Sequence, residues 1–163
     1  MNIDGLKLEW DTMFDKNLIS IDYWNNNLYL NESNSNKIIS LNSNGKSYKY
    51  LNNNKFNMFS LKNIVDNVII NDLLFSIDNN LDMCRIFSLN EKKPIAIFGF
   101  KNIKNPSVID GFFKNNVYHI FINDSNNIVK YEIIIKNEKI VHMESYNFIS
   151  FEGNIKSILI DRK

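Results

Sequence analysis

Four aspartates close short apolar runs in the same manner: "SID" at Asp22, "IND" at Asp72, "VID" at Asp110 and "LID" at Asp161. Carboxylates gathered from several strands are hard oxygen donors, and calcium or another divalent cation is what such a ring would hold. A second set of acids, Glu32, Asp78 and Asp124, recurs at a spacing of 46 residues. Each has an aromatic three positions before it (Tyr29, Phe75, Phe121) and Ser or Asn directly after it. An acid so placed has a simpler use, because it accepts the N–H groups of the turn it begins; that structural role is expected for all three. "DNNLD", Asp78 to Asp82, puts oxygen donors on alternate positions as a calcium loop does. Its sixth place is Met83 instead of glycine and its twelfth is Leu89 instead of glutamate, so the pattern is broken.

Nitrogen and sulfur donors are scarce. His119 and His142 are the only histidines and Cys84 the only cysteine, with no spacing that would build a zinc site from one chain. His119 falls inside an apolar run and reads as a core or edge residue. Cys84 reads as a small buried hydrophobe, and alone it forms no intramolecular disulfide. The five glycines make no phosphate-binding loop, and no Gly-x-Ser-x-Gly elbow occurs.

Nineteen basic and eighteen acidic residues leave a net charge of +1, with no basic run longer than Lys92-Lys93. That balance supplies no field for nucleic acid or an anionic membrane, so neither is expected as a partner. The start, "MNIDGLKLEW", has no apolar core of a signal peptide, and no apolar stretch is long enough to cross a bilayer. A cytoplasmic location is the expectation.

The elements that would position these residues are short strands. Apolar runs rich in Ile, Val, Tyr and Phe alternate with Asn, Asp, Ser and Gly. Strands are expected at about 17–23, 27–32, 36–42 and 46–51, then 65–70, 73–78, 83–89 and 94–100, then 107–113, 116–123, 127–135 and 139–146. Asn44-Gly45, "NEKK" and Lys136-Asn137-Glu138 are the expected hairpin turns closing each set. "FSLKNIVDNVI" is the one candidate helix, and its β-branched residues argue against it. The chain reads as one all-β domain, 1–163, with repeat units at about 15–52, 63–101 and 106–147 and a partial unit over 148–163. A β-sandwich is the alternative fold.

Four strands in a unit of 40–45 residues is the sequence signature of a β-propeller blade. "FINDSNNIVKYEI" and "YLNESNSNKIISL" resemble the blades of NHL-like and gluconolactonase-like propellers, in which a strand leads through an acid-Ser/Asn-Asn loop into an Ile-bearing strand. "FSIDNNLDMCRIFSL" is similar but carries extra loop residues. The resemblance implies a propeller of four-stranded antiparallel blades, about three and a half in this chain. In gluconolactonase-like propellers a metal sits in the central channel, held by Glu, Asn and Asp. By that resemblance Asp22, Asp72, Asp110 and Asp161, which end the expected innermost strands, are the metal candidates; no other cofactor is expected.

Tyr23-Trp24 and Phe112-Phe113 follow the "ID" phrase at matching places. They are expected either to face an adjoining blade or to form an apolar face that binds a partner. Closed propellers have four to eight blades, so three and a half leave open edges and faces. The leading "LKLEW", with Trp10, would serve as an outer strand for the trailing "IKSILID". The expectation is a non-enzymatic binding or assembly module, a homo-oligomer or a chain completed by a partner protein. The alternatives are a metal-dependent lactonase-like hydrolase and a structural subunit of a larger particle.

Overall fold

The computed structural model describes residues 18–32, 37–42, 47–52, 63–100 and 103–160, with the side chains of 32, 37 and 47–52 outside that description. Every regular element among them is a strand. β1 (Leu18–Trp24), β2 (Asn27–Glu32), β3 (Lys37–Asn42) and β4 (Ser47–Asn52) form one sheet in chain order. β5 (Ile64–Ile70), β6 (Leu73–Asp78), β7 (Met83–Ser88) and β8 (Lys93–Gly99) form the second. β9 (Ile109–Lys114), β10 (Val117–Asp124), β11 (Asn127–Lys136) and β12 (Lys139–Ser150) form the third. All pairings are antiparallel, and each sheet is a four-stranded meander, here called a blade.

Local sequence explains the meander. The turns fall on Asn and its neighbours because Asn tolerates a left-handed backbone. Asn25-Asn26, Asn115-Asn116 and Asn137-Glu138 each hold two successive residues at positive φ, as a tight two-residue hairpin requires. "IVDNVI", inside the candidate helix, is β5; the four residues before Asn63 lie outside the described set, as do the Asn44-Gly45 turn, "LKLEW" and Asp161.

Successive strand residues point to opposite faces, so each blade has one face toward its predecessor and one toward its successor. Tyr29 and Ile38 of the first blade meet Ile69, Leu74 and Phe87 of the second. The other face of the second blade, with Val68, Phe75, Ile77, Ile86 and Phe98, meets Tyr118, Ile120, Val129, Tyr131 and Ile133 of the third. These two seams hold most of the core, and a third cluster of Leu30, Ile39 and Leu41 is buried on the other face of the first blade. The innermost strands β1, β5 and β9 lie side by side, and β4, β8 and β12 lie outermost.

Gly111 on β9 permits a close approach to its neighbour strand and to the second blade. A Cβ there would meet the His119 carbonyl oxygen and come within 2.9 Å of Ile70 Cδ1. Buried Cys84 lies in the second seam, and loss of hydration pushes its thiol pKa up.

The first seam differs because it is partly polar. Asn67, Ser76 and Arg85 form one cross-strand row on the second blade, facing Ser20 and Asn31 of the first. Asn31 Nδ2 donates to Ser20 Oγ at 2.9 Å and also to Asn67 Oδ1. Arg85 is the largest fully buried side chain, and its Nη1 lies 3.1 Å from Asp78 Oδ2.

Residues 151–160 belong to no sheet. They cross the far face of the third blade, with Phe151 N–H donating to Asn126 O at 2.8 Å and Ile155 N–H to Ser125 O at 3.0 Å. The expected partial unit over 148–163 thus starts inside β12, and its described remainder forms no strand.

Candidate functional site

Three carboxylates sit on the innermost strands, and each ties its blade to the next. Asp22 Oδ1 accepts the N–H of Tyr23 at 2.8 Å, while Oδ2 accepts the N–H of Ile69 in the second blade. Asp66 does the same with Asn67 at 2.9 Å and with Ile109 of the third blade at 3.0 Å. Asp110 repeats it with Gly111 at 2.7 Å and with Ile160 of the trailing segment at 2.7 Å. A carboxylate has lone pairs for several N–H groups, so one side chain shapes its own strand and clamps the neighbour.

Asp66 is the middle of the three. Burial, and then the nearby charges of Asp110 and Asp22, raise its pKa to about 6 against the lowering effect of its two backbone hydrogen bonds.

Of the four aspartates singled out in the sequence, the structure therefore brings Asp22 and Asp110 to the inner strands. Asp72 lies in the β5–β6 turn, where its Oδ2 accepts from Asn90 Nδ2 at 2.9 Å. The position on β5 that corresponds to Asp22 and Asp110 is Asp66. Sequence reasoning took the nearby "IND" at Asp72 in its place, although Asp22, Asp66 and Asp110 are evenly spaced by 44 residues. Among the described residues no group of three or more His, Cys, Asp or Glu side chains is arranged to hold a metal ion.

Of the acids spaced by 46 residues, Asp78 accepts from the turn it begins, whereas Asp124 bonds to the segment that precedes β9. Asp78 accepts N–H groups from Asn80 at 3.1 Å and Asn63 at 3.4 Å, besides pairing with Arg85. Asp124 accepts the N–H of Lys104 at 3.1 Å.

The four candidate aromatics do not share one face. Counting from the clamp aspartates, Tyr23 corresponds to Gly111 and Trp24 to Phe112. Tyr23 is 60% exposed at the inner edge of the first blade's other face, where Leu30, Ile39 and Leu41 are buried, while Trp24 turns toward the second blade. Phe113 packs 4.6 Å from Tyr118 at the rim of the second seam. Phe112 stacks on His119 at 4.7 Å, on the far side of the third blade.

That far side is built differently from the two seams. Its centre is a charged cluster in which Glu132 Oε1 is 2.6 Å from Lys130 Nζ and 3.3 Å from His119 Nδ1, and accepts from Tyr146 Oη at 3.0 Å. Partial burial, and then the Lys130 charge, lower the His119 pKa. Around the cluster, apolar side chains are uncovered: Phe148 is 55% exposed, and the Leu159 side chain on the trailing segment is 93% exposed. Phe121, Ile128, Phe148 and the 151–160 segment enclose a cleft of about 530 Å³. At the opposite end of the arc, Ile21 is 61% exposed beside Tyr23.

Comparison with solved structures agrees with this architecture. The computationally designed Ika4 protein superposes with a TM-score of 0.61 at 8% identity, over 96% of this chain and 88% of its own. The computationally designed Ika8 protein gives 0.57 at 5% identity over 88% of this chain and 40% of its own. Virginiamycin B lyase from Staphylococcus aureus gives 0.56 at 13% identity over 83% of this chain and 42% of its own. The chain thus spans most of Ika4 and about two fifths of the other two. Likeness at such low identity carries the fold alone, that of a partial propeller of four-stranded blades. No family model matches the sequence, and no curated protein does. No helix among the described residues is long and apolar enough to cross a membrane.

Proposed function

We propose that this chain is a non-enzymatic binding and assembly module whose two terminal faces dock protein, with a second copy of the chain completing the ring. Leu159 carries the reading. Asp110 holds the segment ending at Ile160 just as Asp66 holds the inner strand of the third blade, yet Leu159 stands 93% exposed. The residues at the same place before Ile69 and Ile109 are Val68, which is buried, and Val108, which is half-buried. Contiguous apolar surface of this kind on a folded domain marks an interaction site.

Two arcs joined head to tail make two identical seams about a two-fold axis, each setting Ile21 and Tyr23 of one copy against Phe148 and Leu159 of the other. The charged cluster at Glu132 would add specificity to such a seam. On this reading the blades are of the NHL-like or gluconolactonase-like kind, and the inner aspartates serve the seams.

Light scattering on the full chain tests the proposal. The expected mass at micromolar concentration is that of two 19.2 kDa chains. Ile21→Glu and Leu159→Glu should each return it to one chain with an unchanged far-ultraviolet spectrum. A wild-type chain that remains soluble and monomeric would overturn the reading.

A further inference from the structure

The two seams end differently, and the cause is hairpin length. Asp22 lies three residues before the turn at Asn25, whereas Asp66 and Asp110 lie five before the turns at Asn71 and Asn115. On the second blade the extra positions facing the third blade carry Ile70 and Leu73, both buried in the seam. The first blade has no such pair. β1 stops at Trp24, and a cleft of about 440 Å³ opens between the first two blades.

Strand register sets what lines it. Tyr29 and Ser40 are cross-strand partners and form the buried floor. Trp24, Asn27 and Asn42 form the next row outward on the same face. The Trp24 ring is tilted 58° from that of Tyr29, with centroids 6.4 Å apart. Asn27 Nδ2 donates to Asn25 O at 2.8 Å, which orients its amide. Lys92 reaches the rim from the β7–β8 turn, its backbone held at a φ of 54°. Among the described residues no carboxylate lines the cleft.

We propose that this cleft is a binding site for a small polyhydroxylated ring, of monosaccharide size. An indole face packs against the C–H face of a sugar, and amides and a hydroxyl exchange hydrogen bonds with its hydroxyl groups. The volume falls in the range of small-ligand sites, about 300–1,000 Å³. Among the described residues the lining carries aromatic, amide and hydroxyl groups and no acid, and the role proposed for it is binding. It lies wholly within the first two blades, so it stands whether or not two arcs close a ring.

Saturation-transfer NMR with glucose, galactose, mannose and N-acetylglucosamine at millimolar concentration tests it on the full chain. The indole N–H signal of Trp24, identified with a Trp10→Phe variant, provides the second readout. At least one sugar should receive transfer and shift that signal. Trp24→Ala should weaken binding about tenfold or more, the loss of one aromatic contact. Asn42→Ala, at the rim, should weaken it with the fold intact by circular dichroism. If none of the four sugars perturbs the Trp24 signal, or if binding is unchanged in both variants, the proposal fails.

Discussion

Asp66 Oδ2 accepts the Ile109 N–H at 3.0 Å, so the side chain of one blade closes the backbone of the next. The same carboxylate has a pKa of about 6 in the folded chain against an ordinary 3.8. The folded state therefore holds this proton more tightly than the unfolded state between those values. Stability from this group is greatest below pH 4 and falls as pH rises through 6. The difference in unfolding free energy between wild type and Asp66→Asn should decline by roughly 2–3 kcal/mol over that window. Urea titrations of both proteins at several pH values measure it; a difference independent of pH would contradict the assignment.

Gly111→Ala should destabilise the second seam. The new methyl group would press on the His119 carbonyl and on Ile70, and backbone cannot yield as a flexible side chain does. A loss of about 1–3 kcal/mol is expected, as for other overpacked sites, read as a lowered urea midpoint.

Arg85 and Asp78 are a buried pair, so their single and double replacements should differ in kind. Asp78→Ala leaves a guanidinium in the seam without its carboxylate and should cost about 3–5 kcal/mol. Arg85→Met combined with Asp78→Leu removes both charges and should cost much less. Chemical unfolding of the three variants checks this ordering.

Cys84 is fully buried and its thiol pKa is raised by that burial. Alkylation by iodoacetamide at pH 8 should therefore be slow in the native chain and fast in urea. Mass spectrometry of timed samples gives the ratio; equal rates would mean that the second seam opens readily.

Chelation should leave the melting temperature unchanged. The inner carboxylates Asp22, Asp66 and Asp110 already accept backbone N–H groups with both oxygens. A melting temperature lowered by EDTA and restored by calcium would show that a cation occupies the inner strands.

Strand limits were legible from the sequence because period-two burial and Asn-rich turns are local signals. The expected third set began at 107 and the observed β9 begins at Ile109; most other limits agree within a residue or two. β12 runs on to Ser150, since its pairing with β11 continues to Asn127 through a bulge that local pattern does not announce. The match of "IDYW" to "IDGFF" was also legible, and it was correct for Asp22 and Asp110.

The sequence by itself determined an all-β chain of repeated four-stranded units, because alternation and turn chemistry act between near neighbours. Only the tertiary structure decided which acids face the inner seams. "IND" at Asp72 and "VDN" at Asp66 differ little as strings, yet one lies in a turn and the other bonds to a backbone N–H 43 residues away. It also decided that Trp24 borders a cleft while Phe112 lies on an open face. That outcome depends on two residues of hairpin length and on whether a neighbouring blade is there to cover the ring.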